Sequence, residues 1–579
     1  MLRHRTTSSV RVPHARARSV RPNRRRRLAI SAAIPVVVLV AASFAGPASI
    51  AAPARATHST VGRTAPYVQH QMLVRFRSGV DAAAIAQLNA RLGASTVKRF
   101  SFVPGLQLLQ LKPALSVTKT VAAFSSQTQV LYAQPNWVSH IGPTTRGNSE
   151  AAPASIGKTP NDPRYGEQWD WPKVNAPKAW DLSTGSHTVV VGDIDTGLEY
   201  THEDLAANAW QNTAECNGKK GKDDDGNGYV DDCYGIDTIN GDTNPIDDNG
   251  HGTHTGGTIG AVGNNGIGVT GFSWSVQVLP CKSHDSSGNG SVASIIECYQ
   301  YMVTEKAAGN DIIATNNSYG GCPEACDYDQ ATKDGIAAMG KAGILFAVAA
   351  ANNSSDNDVK PVYPSNYFLP NVLPVAATTS TDGLASFSDY GVRTVMVGAP
   401  GQGILSTYRN NAYGNLSGTS MATPHVAGLA GLLHAYDPSL SIYQIRNLII
   451  AGGDSITSLA GKTVSGKRID AFGSLKCKNS TAFGLLRPLE TVSLADGTQT
   501  IAALNINCAK AAGGLSVTIK PGNVKLTLAD KGKDVDLQKK DGIYSVAWTP
   551  AGAGTYTLKF SNGQSYVVTV TAAEAPVRS

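Results

Sequence analysis

Val190-Val191-Gly192-Asp193-Ile194-Asp195-Thr196-Gly197 is an apolar run that stops in an acidic turn. Further along, apolar runs such as Ile312 to Ala314 and Gly343 to Ala350 alternate with helical stretches at Ala293 to Lys306, Ala331 to Gly340 and Pro424 to Tyr436. That alternation predicts an α/β fold, a parallel sheet wrapped by helices. Side chains that do chemistry are then expected at the carboxyl ends of the strands. Asp195, at the end of the run Thr188 to Ile194, stands in such a place.

Two more motifs share the same stretch of chain. One is His251-Gly252-Thr253-His254-Thr255-Gly256-Gly257; the other is Gly418-Thr419-Ser420-Met421-Ala422-Thr423-Pro424-His425-Val426-Ala427-Gly428. A serine hydroxyl becomes a useful nucleophile when an imidazole takes its proton. That imidazole in turn needs a carboxylate on its other nitrogen. With Asp, His and Ser in that order, the chain closely resembles the subtilisin-like serine peptidases. The resemblance implies Ser420 as nucleophile, His251 as base and Asp195 as its orienter. It also matches Phe346-Ala347-Val348-Ala349-Ala350-Ala351-Asn352 to the segment whose asparagine amide holds the oxyanion, a role implied for Asn352. Ala351 departs from the family's usual glycine, and its methyl would narrow the pocket for the P1 side chain. Pro424 is expected in the first helical turn, where no backbone donor is missed.

By the same resemblance, substrate adds as a strand. Ser318-Tyr319-Gly320 forms one edge and the loop with Gly288 and Gly290 the other. The expected activity is that of a broad serine endopeptidase acting on peptide bonds through an acyl-enzyme.

Residues 67–141 read as strand, helix, strand, strand, helix, strand, a ferredoxin-like order. The segment resembles the inhibitory propeptides of the same family, whose tails occupy the cleft; here the tail is Trp137 to Ile141. Residues 142–158, rich in Gly, Pro, Ser, Thr and Ala, read as an exposed linker and processing region. Residues 159–476 form the expected peptidase domain. Residues 480–579, with strands at Leu515 to Ile519, Val524 to Leu528, Tyr544 to Trp548, Thr555 to Phe560 and Tyr566 to Val570, read as a small β-sandwich.

The bulk numbers fit this layout. The chain has 579 residues, 42% of them hydrophobic, enough for several cores. Its net charge of +7 owes much to a basic start that includes Arg24 to Arg27. The apolar stretch Leu28 to Ala45 and the small residues up to Ala56 follow, so residues 1–56 read as a secretory signal peptide. The arginines also suit twin-arginine export, without deciding the route. The expected product is a secreted monomer with no nucleic-acid partner and no membrane anchor after signal removal. All eight cysteines lie from Cys216 onward, and an even count in an exported chain points to disulfides. Neighbour pairing gives Cys216 with Cys233, Cys281 with Cys298, Cys322 with Cys326, and Cys477 with Cys508, among many pairings that eight cysteines allow.

Calcium is the expected structural cofactor. Asp223, Asp225 and Asn227 have the alternating spacing of a calcium loop, with Gly228 in the turn, the Tyr229 carbonyl and Asp231 as further oxygens. Tyr234 stands where an EF-hand needs its glutamate, so a bare acidic turn is the competing reading. Resemblance to the thermitase branch implies a second site from Asp162, Asp204 and Asn265 side chains and the Val262, Ile267 and Val269 carbonyls. Asp530, Asp534, Asp536 and Asp541 also cluster, and read first as solvated turn residues.

Other polar residues have plainer readings. His254 lacks the glutamate of a His-Glu-x-x-His zinc motif and reads as structural. His425 reads as a core histidine, His202 and His284 as surface loop residues, and Asn316 and Asn317 as shaping the substrate strand. Asp193 shares a strand face with Asp195 and takes no role. Aspartic-peptidase chemistry needs a second Asp-Thr/Ser-Gly that does not occur, and an α/β-hydrolase needs another motif and order. A catalytically dead binding protein is excluded only by the intact set Asp195, His251, Ser420 and Asn352.

Overall fold

The computed structural model describes residues 66–147, 150–320 and 328–572. The expected signal peptide, and the pair Cys322 and Cys326, lie outside them.

The N-terminal unit has the expected order. Strands Tyr67–Phe76, Ala94–Phe100, Leu106–Leu111 and Val130–His140 form one antiparallel sheet, with Tyr67–Phe76 between the third and fourth. Helices Ala82–Arg91 and Val117–Ser125 lie over it, started by Asp81 and Ser116, whose side chains accept from backbone N–H groups in the first turn. Met72, Val74, Leu109 and Phe124 fill the space between helices and sheet. The other sheet face, through Leu73, Phe100, Leu106 and Leu108, joins the core of the central domain. Side chains of the last strand complete helix ends across that junction. Asn136 accepts from Ala293 N at 2.9 Å, and Gln134 accepts from Ala331 N at 3.2 Å.

The central sheet runs from Asp454–Ser455 through Lys467–Arg468, Val397–Pro400, Val372–Thr378, Leu345–Ala349, Asp311–Asn317, Val189–Asp195 and Gln277–Lys282 to Ile236–Asp237. Every pairing is parallel except the terminal Asp454–Ser455 with Lys467–Arg468. A parallel sheet covered on both faces needs apolar strands, and Leu345–Ala349 and Val372–Thr378 are buried at every position. The helix Thr419–Tyr436 is buried almost throughout. Gly428 and Gly431 let it close on Phe272 and Val191, which a Cβ would meet at 2.6 and 3.0 Å.

This helix begins earlier than the sequence reading places it. It starts at Thr419, so Pro424 sits inside it rather than in its first turn. The missing Pro424 N–H leaves the Ser420 carbonyl without its i+4 donor. The Ser318 hydroxyl takes that place, donating at 2.8 Å.

Residues 481–571 make two packed sheets. One holds Thr481–Arg487, Gln499–Asn507, Lys510–Ala511 and Ile543–Trp548; the other holds Thr491–Ser493, Leu515–Lys520, Val524–Leu528, Gly554–Phe560 and Ser565–Thr571. Val517, Leu558, Phe560 and Val568 lie in their shared core. Buried Arg393 bridges to this sandwich, donating to the Pro488 and Val567 carbonyls at 2.8 and 2.9 Å. Cys477–Cys508 bonds across the same junction. Cys216–Cys233 and Cys281–Cys298 are bonded in the expected pairs, each closing a separation of 17 residues. Loops of that length are worth on the order of 3 kcal/mol each in chain entropy.

Candidate active site

Two elements bring Asp195 and His251 together, and a third carries Ser420. Asp195 ends the strand Val189–Asp195, and His251 opens the helix His251–Gly260. His251 Nδ1 lies 2.7 Å from Asp195 Oδ1, which also accepts from Thr196 N at 2.7 Å. Both side chains are buried, so the contact acts at low dielectric. Ser420 is the second residue of Thr419–Tyr436, whose N-terminus has no side-chain cap. The helix dipole puts positive potential there.

The serine is turned away from the imidazole. Ser420 Oγ donates to the Ser318 carbonyl at 3.2 Å, and His251 Nε2 has no hydrogen-bond partner.

The cleft is filled by the chain itself. Val138, Ser139 and His140 pair antiparallel with Ser291, Gly290 and Asn289, and Ile141 N donates to Gly288 O at 2.9 Å. On the other side, Gly320 N donates to His140 O at 3.5 Å. Past the site, Thr145 and Arg146 pair with Ser417 and Leu416. The expected linker is thus docked over its first six residues. Between the two pairings, Asn352 Nδ2 donates to the Pro143 carbonyl at 3.2 Å. The other end of that amide accepts from Thr419 N and Oγ1 at 2.8 and 2.9 Å, which aims the donor into the cleft. Ala351 holds φ of 99°, a left-handed value that suits the glycine it replaces.

His202 and His284 are corrected by the structure: both are fully buried. His202 Nε2 lies 2.9 Å from Ala412 O, and His284 Nδ1 lies 2.8 Å from Ser283 Oγ, with Ser139 of the docked strand at 3.4 Å from Nε2. Loop polarity suggests exposure, but backbone partners for His202 and serine hydroxyls for His284 let these rings be buried. Burial pushes the His284 pKa down to about 4 and the His254 pKa down to about 3. His254 Nε2 meets the Ile404 carbonyl at 2.9 Å, a structural contact. His425 sits between Met421 O and Asp170 Oδ2, at 2.8 and 3.0 Å.

The acidic loop groups differently from its sequence pattern. Asp225 converges with Glu215 and Asp232, which the spacing argument left out, with ligand atoms within 4.8 Å of one another. Asp223 instead accepts from Gly226 N and Gly228 N, Asp231 accepts from Gly221 N, and Asn227 Oδ1 accepts from Tyr229 N. Glu215 and Asp232 each precede a cysteine of the Cys216–Cys233 bond, the signal that could have found them. Asp530, Asp536 and Asp541 converge similarly, without Asp534.

At the other acidic site Asp162 accepts from Asn264 N and Asn265 N, at 2.8 and 3.0 Å. Asp204 accepts from Val269 N and Asn265 Nδ2, both at 2.8 Å, and its carbonyl accepts from Val262 N. Asn265 Oδ1 accepts from Ile267 N. Burial pushes Asp204 up to about 7 and Asp162 upward too. Buried carboxyls without a bonded lysine or arginine among the described residues fit a hard, oxygen-loving cation.

Comparison with known proteins points to one family. The Subtilase family profile matches residues 186–465, and the Fervidolysin N-terminal prodomain profile matches residues 53–136. The Thermophilic serine proteinase of Bacillus sp. (strain AK1) is 32% identical over 394 residues, covering 68% of this chain and 84% of that one. This chain belongs to the subtilase family. Thermitase of Thermoactinomyces vulgaris is another similar subtilase, 35% identical, with 55% of this chain and 99% of thermitase covered. Subtilisin-like protease 1 of Plasmodium berghei is 32% identical over 55% of this chain, which spans 54% of that relative's length. For the Plasmodium falciparum protein of that name the share is 38%. The crystal structure of fervidolysin from Fervidobacterium pennivorans, described as a keratinolytic enzyme related to subtilisin, shares the fold. Its TM-score is 0.58 at 18% identity, covering 85% of this subtilase and 71% of that chain.

Proposed function

We propose that this subtilase is the precursor of a secreted serine endopeptidase, held inactive by its own prodomain. The observation that carries this reading is the Asn352 amide, which accepts from Thr419 N at the start of the Ser420 helix and donates to a main-chain carbonyl, Pro143 O, at 3.2 Å. A carbonyl in that place is where negative charge develops during acyl transfer.

In the mature enzyme Ser420 Oγ swings to His251 Nε2 and attacks a substrate carbonyl. His251 takes the hydroxyl proton at Nε2, and Asp195 at 2.7 Å stabilises the resulting imidazolium. Asn352 Nδ2 and Ser420 N–H hold the oxyanion. The proton then passes to the leaving amine, and water releases the acyl group by the same steps in reverse. Substrate main chain replaces residues 138–141 between Gly288–Gly290 and Ser318–Gly320. The Ala351 methyl favours slender P1 side chains. Maturation then falls within residues 142–158, and the mature enzyme acts as an extracellular monomer.

Calcium is the proposed structural ion. Asp162, Asp204 and Asn265, with the Val262, Ile267 and Val269 carbonyls, would hold one ion. The acidic loop, with Asp225, Glu215 and Asp232 foremost, would hold another. Bound there, the ion would neutralise buried carboxylates and brace loops away from the chemistry.

A fluorophosphonate probe tests the reading. Secreted, processed protein is expected to label and to cleave casein. Ser420→Ala is expected to do neither and to accumulate as unprocessed precursor. Labelling that persists in Ser420→Ala overturns the assignment.

A further inference from the structure

Asp193 is a buried carboxyl beside Asp195 that the mechanism leaves unused. It stands two residues before Asp195, so both side chains leave the same face of the strand. It is only 1% exposed. Its Oδ1 accepts from Asn316 Nδ2 at 2.9 Å, and its Oδ2 lies 3.0 Å from Thr255 Oγ1. No lysine, arginine or histidine bonds it among the described residues. Packing is close: a Cβ on Gly256 would lie 3.4 Å from Oδ2.

The two partners belong to the two halves of the site. Thr255 is one turn along the helix that His251 opens. Asn316 precedes Ser318 by two residues, and its Oδ1 lies 3.1 Å from the Ser318 hydroxyl. Asp193 therefore joins the helix of the base to the strand that binds substrate and supports Ser420.

Two proton placements fit the contacts of Asp193. The Thr255 hydroxyl has one proton and three acceptors in reach: Asp193 Oδ2, Gly252 O at 3.1 Å and His251 O at 3.4 Å. If Asp193 is ionised, that proton serves a dry carboxylate that has a second carboxylate for a neighbour. If Asp193 keeps its proton, Oδ2–H donates to Thr255 Oγ1 and the threonine proton passes to Gly252 O. Both patterns pair each carboxyl oxygen, but only the second buries no extra charge. Burial and the neighbouring Asp195 both push the Asp193 pKa well up. Other charged groups are committed elsewhere. Asp247 accepts from Thr196, Asn249, Gly250 and Thr253. His251 bonds Asp195, and His254 bonds Ile404 O. Lys282 Nζ bonds Thr196 O and Asp248, and His284 meets Ser283.

We propose that Asp193 is a positioning residue that works in its protonated form, tying the His251 helix to the Ser318 strand. Loss of its proton as pH rises places a second negative charge behind His251 and loosens that tie. The inference rests on the peptidase reading, which wild-type turnover tests separately.

The experiment compares mature wild type with Asp193→Asn and Asp193→Val, reading kcat/KM from about pH 6 to 11. Asparagine reproduces the donor and acceptor of the protonated acid. Asp193→Asn is expected to keep kcat/KM within about threefold at neutral pH and to lack an alkaline ionisation that wild type shows. Asp193→Val is expected to lose more than about tenfold. Infrared difference spectra on the Ser420→Ala precursor supply a readout free of activity and of the valine variant's folding. They should contain an un-ionised carboxylic acid band at neutral pH that Asp193→Asn removes. A tenfold loss in Asp193→Asn, an alkaline limb that superimposes on wild type, or no such band overturns the proposal.

Discussion

The Ser318 hydroxyl donates to the Ser420 carbonyl at 2.8 Å, and Pro424 is why that carbonyl is free. An alanine at 424 would supply an N–H to the same oxygen. Ser318 belongs to the strand edge facing the docked tail, so the bond couples substrate strand and nucleophile helix. Ser318→Ala is expected to leave a buried acceptor unpaired, at about 1–3 kcal/mol. In a Pro424→Ala background the same change should cost about 1 kcal/mol less. Thermal unfolding of the four combinations, all carrying Ser420→Ala to prevent self-digestion, measures the coupling. Additive effects would show that the proline and the hydroxyl act separately.

The pairing of Asp195 with His251 was legible because each sits in a short motif that carries its own local structure. An apolar run ends in a turn, and a Gly-Thr-rich stretch opens a helix. The site of Glu215 and Asp232 was hidden because a disulfide, not local spacing, brings them together. The Ser420 helix start was misjudged because its N-cap is Gly418, with no side chain to signal it. Buried His202 and His284 misled because backbone oxygens and neighbouring hydroxyls satisfy polar rings in ways composition does not reveal. In the sandwich, Thr481–Arg487 escaped notice because Gly484 interrupts it; that glycine lets the strand close on Val464, 2.5 Å from where a Cβ would stand.

Ala351 carries a backbone angle at which an L side chain costs about 1–2 kcal/mol. Ala351→Gly relieves that strain and pays about 0.4–1 kcal/mol in unfolded-chain entropy. A net stabilisation of up to about 1.6 kcal/mol is expected. The P1 profile should broaden toward large side chains as the methyl leaves the pocket. A peptide library scored by kcat/KM reads the second effect, and an unchanged profile would remove Ala351 from the specificity argument.

Acid should unfold the precursor through its buried imidazoles. His254 and His284 are held down to about 3 and about 4. Their unfolded values lie near 6.5, so below that pH the unfolded chain binds protons the native chain refuses. Their contribution is fully present above about pH 6.5 and is lost as pH falls toward 4, at about 1.4 kcal/mol per proton per pH unit. Urea unfolding of Ser420→Ala between about pH 7 and 5 measures the slope. His254→Asn, whose amide can donate to Ile404 O, should lower the slope by about one proton; an unchanged slope would mean that ring titrates alike in both states.

Calcium, if bound at Asp162 and Asp204 as proposed, must compete with protons. Asp204 is raised to about 7 by burial. Without an ion, the native state holds a proton there that the unfolded chain has released, so stability falls as pH rises from about 4 to 7. An ion reverses this by favouring the charged form. At a hundredfold excess over Kd it adds about 2.7 kcal/mol. Chelation should therefore lower the Tm of the Ser420→Ala precursor at pH 8 and much less at pH 5. Asp204→Asn should shrink the pH 8 effect while leaving the contribution of the Glu215, Asp225 and Asp232 group. Equal chelator sensitivity at both pH values would separate the ion from Asp204, and a Tm indifferent to chelator would remove calcium from both places.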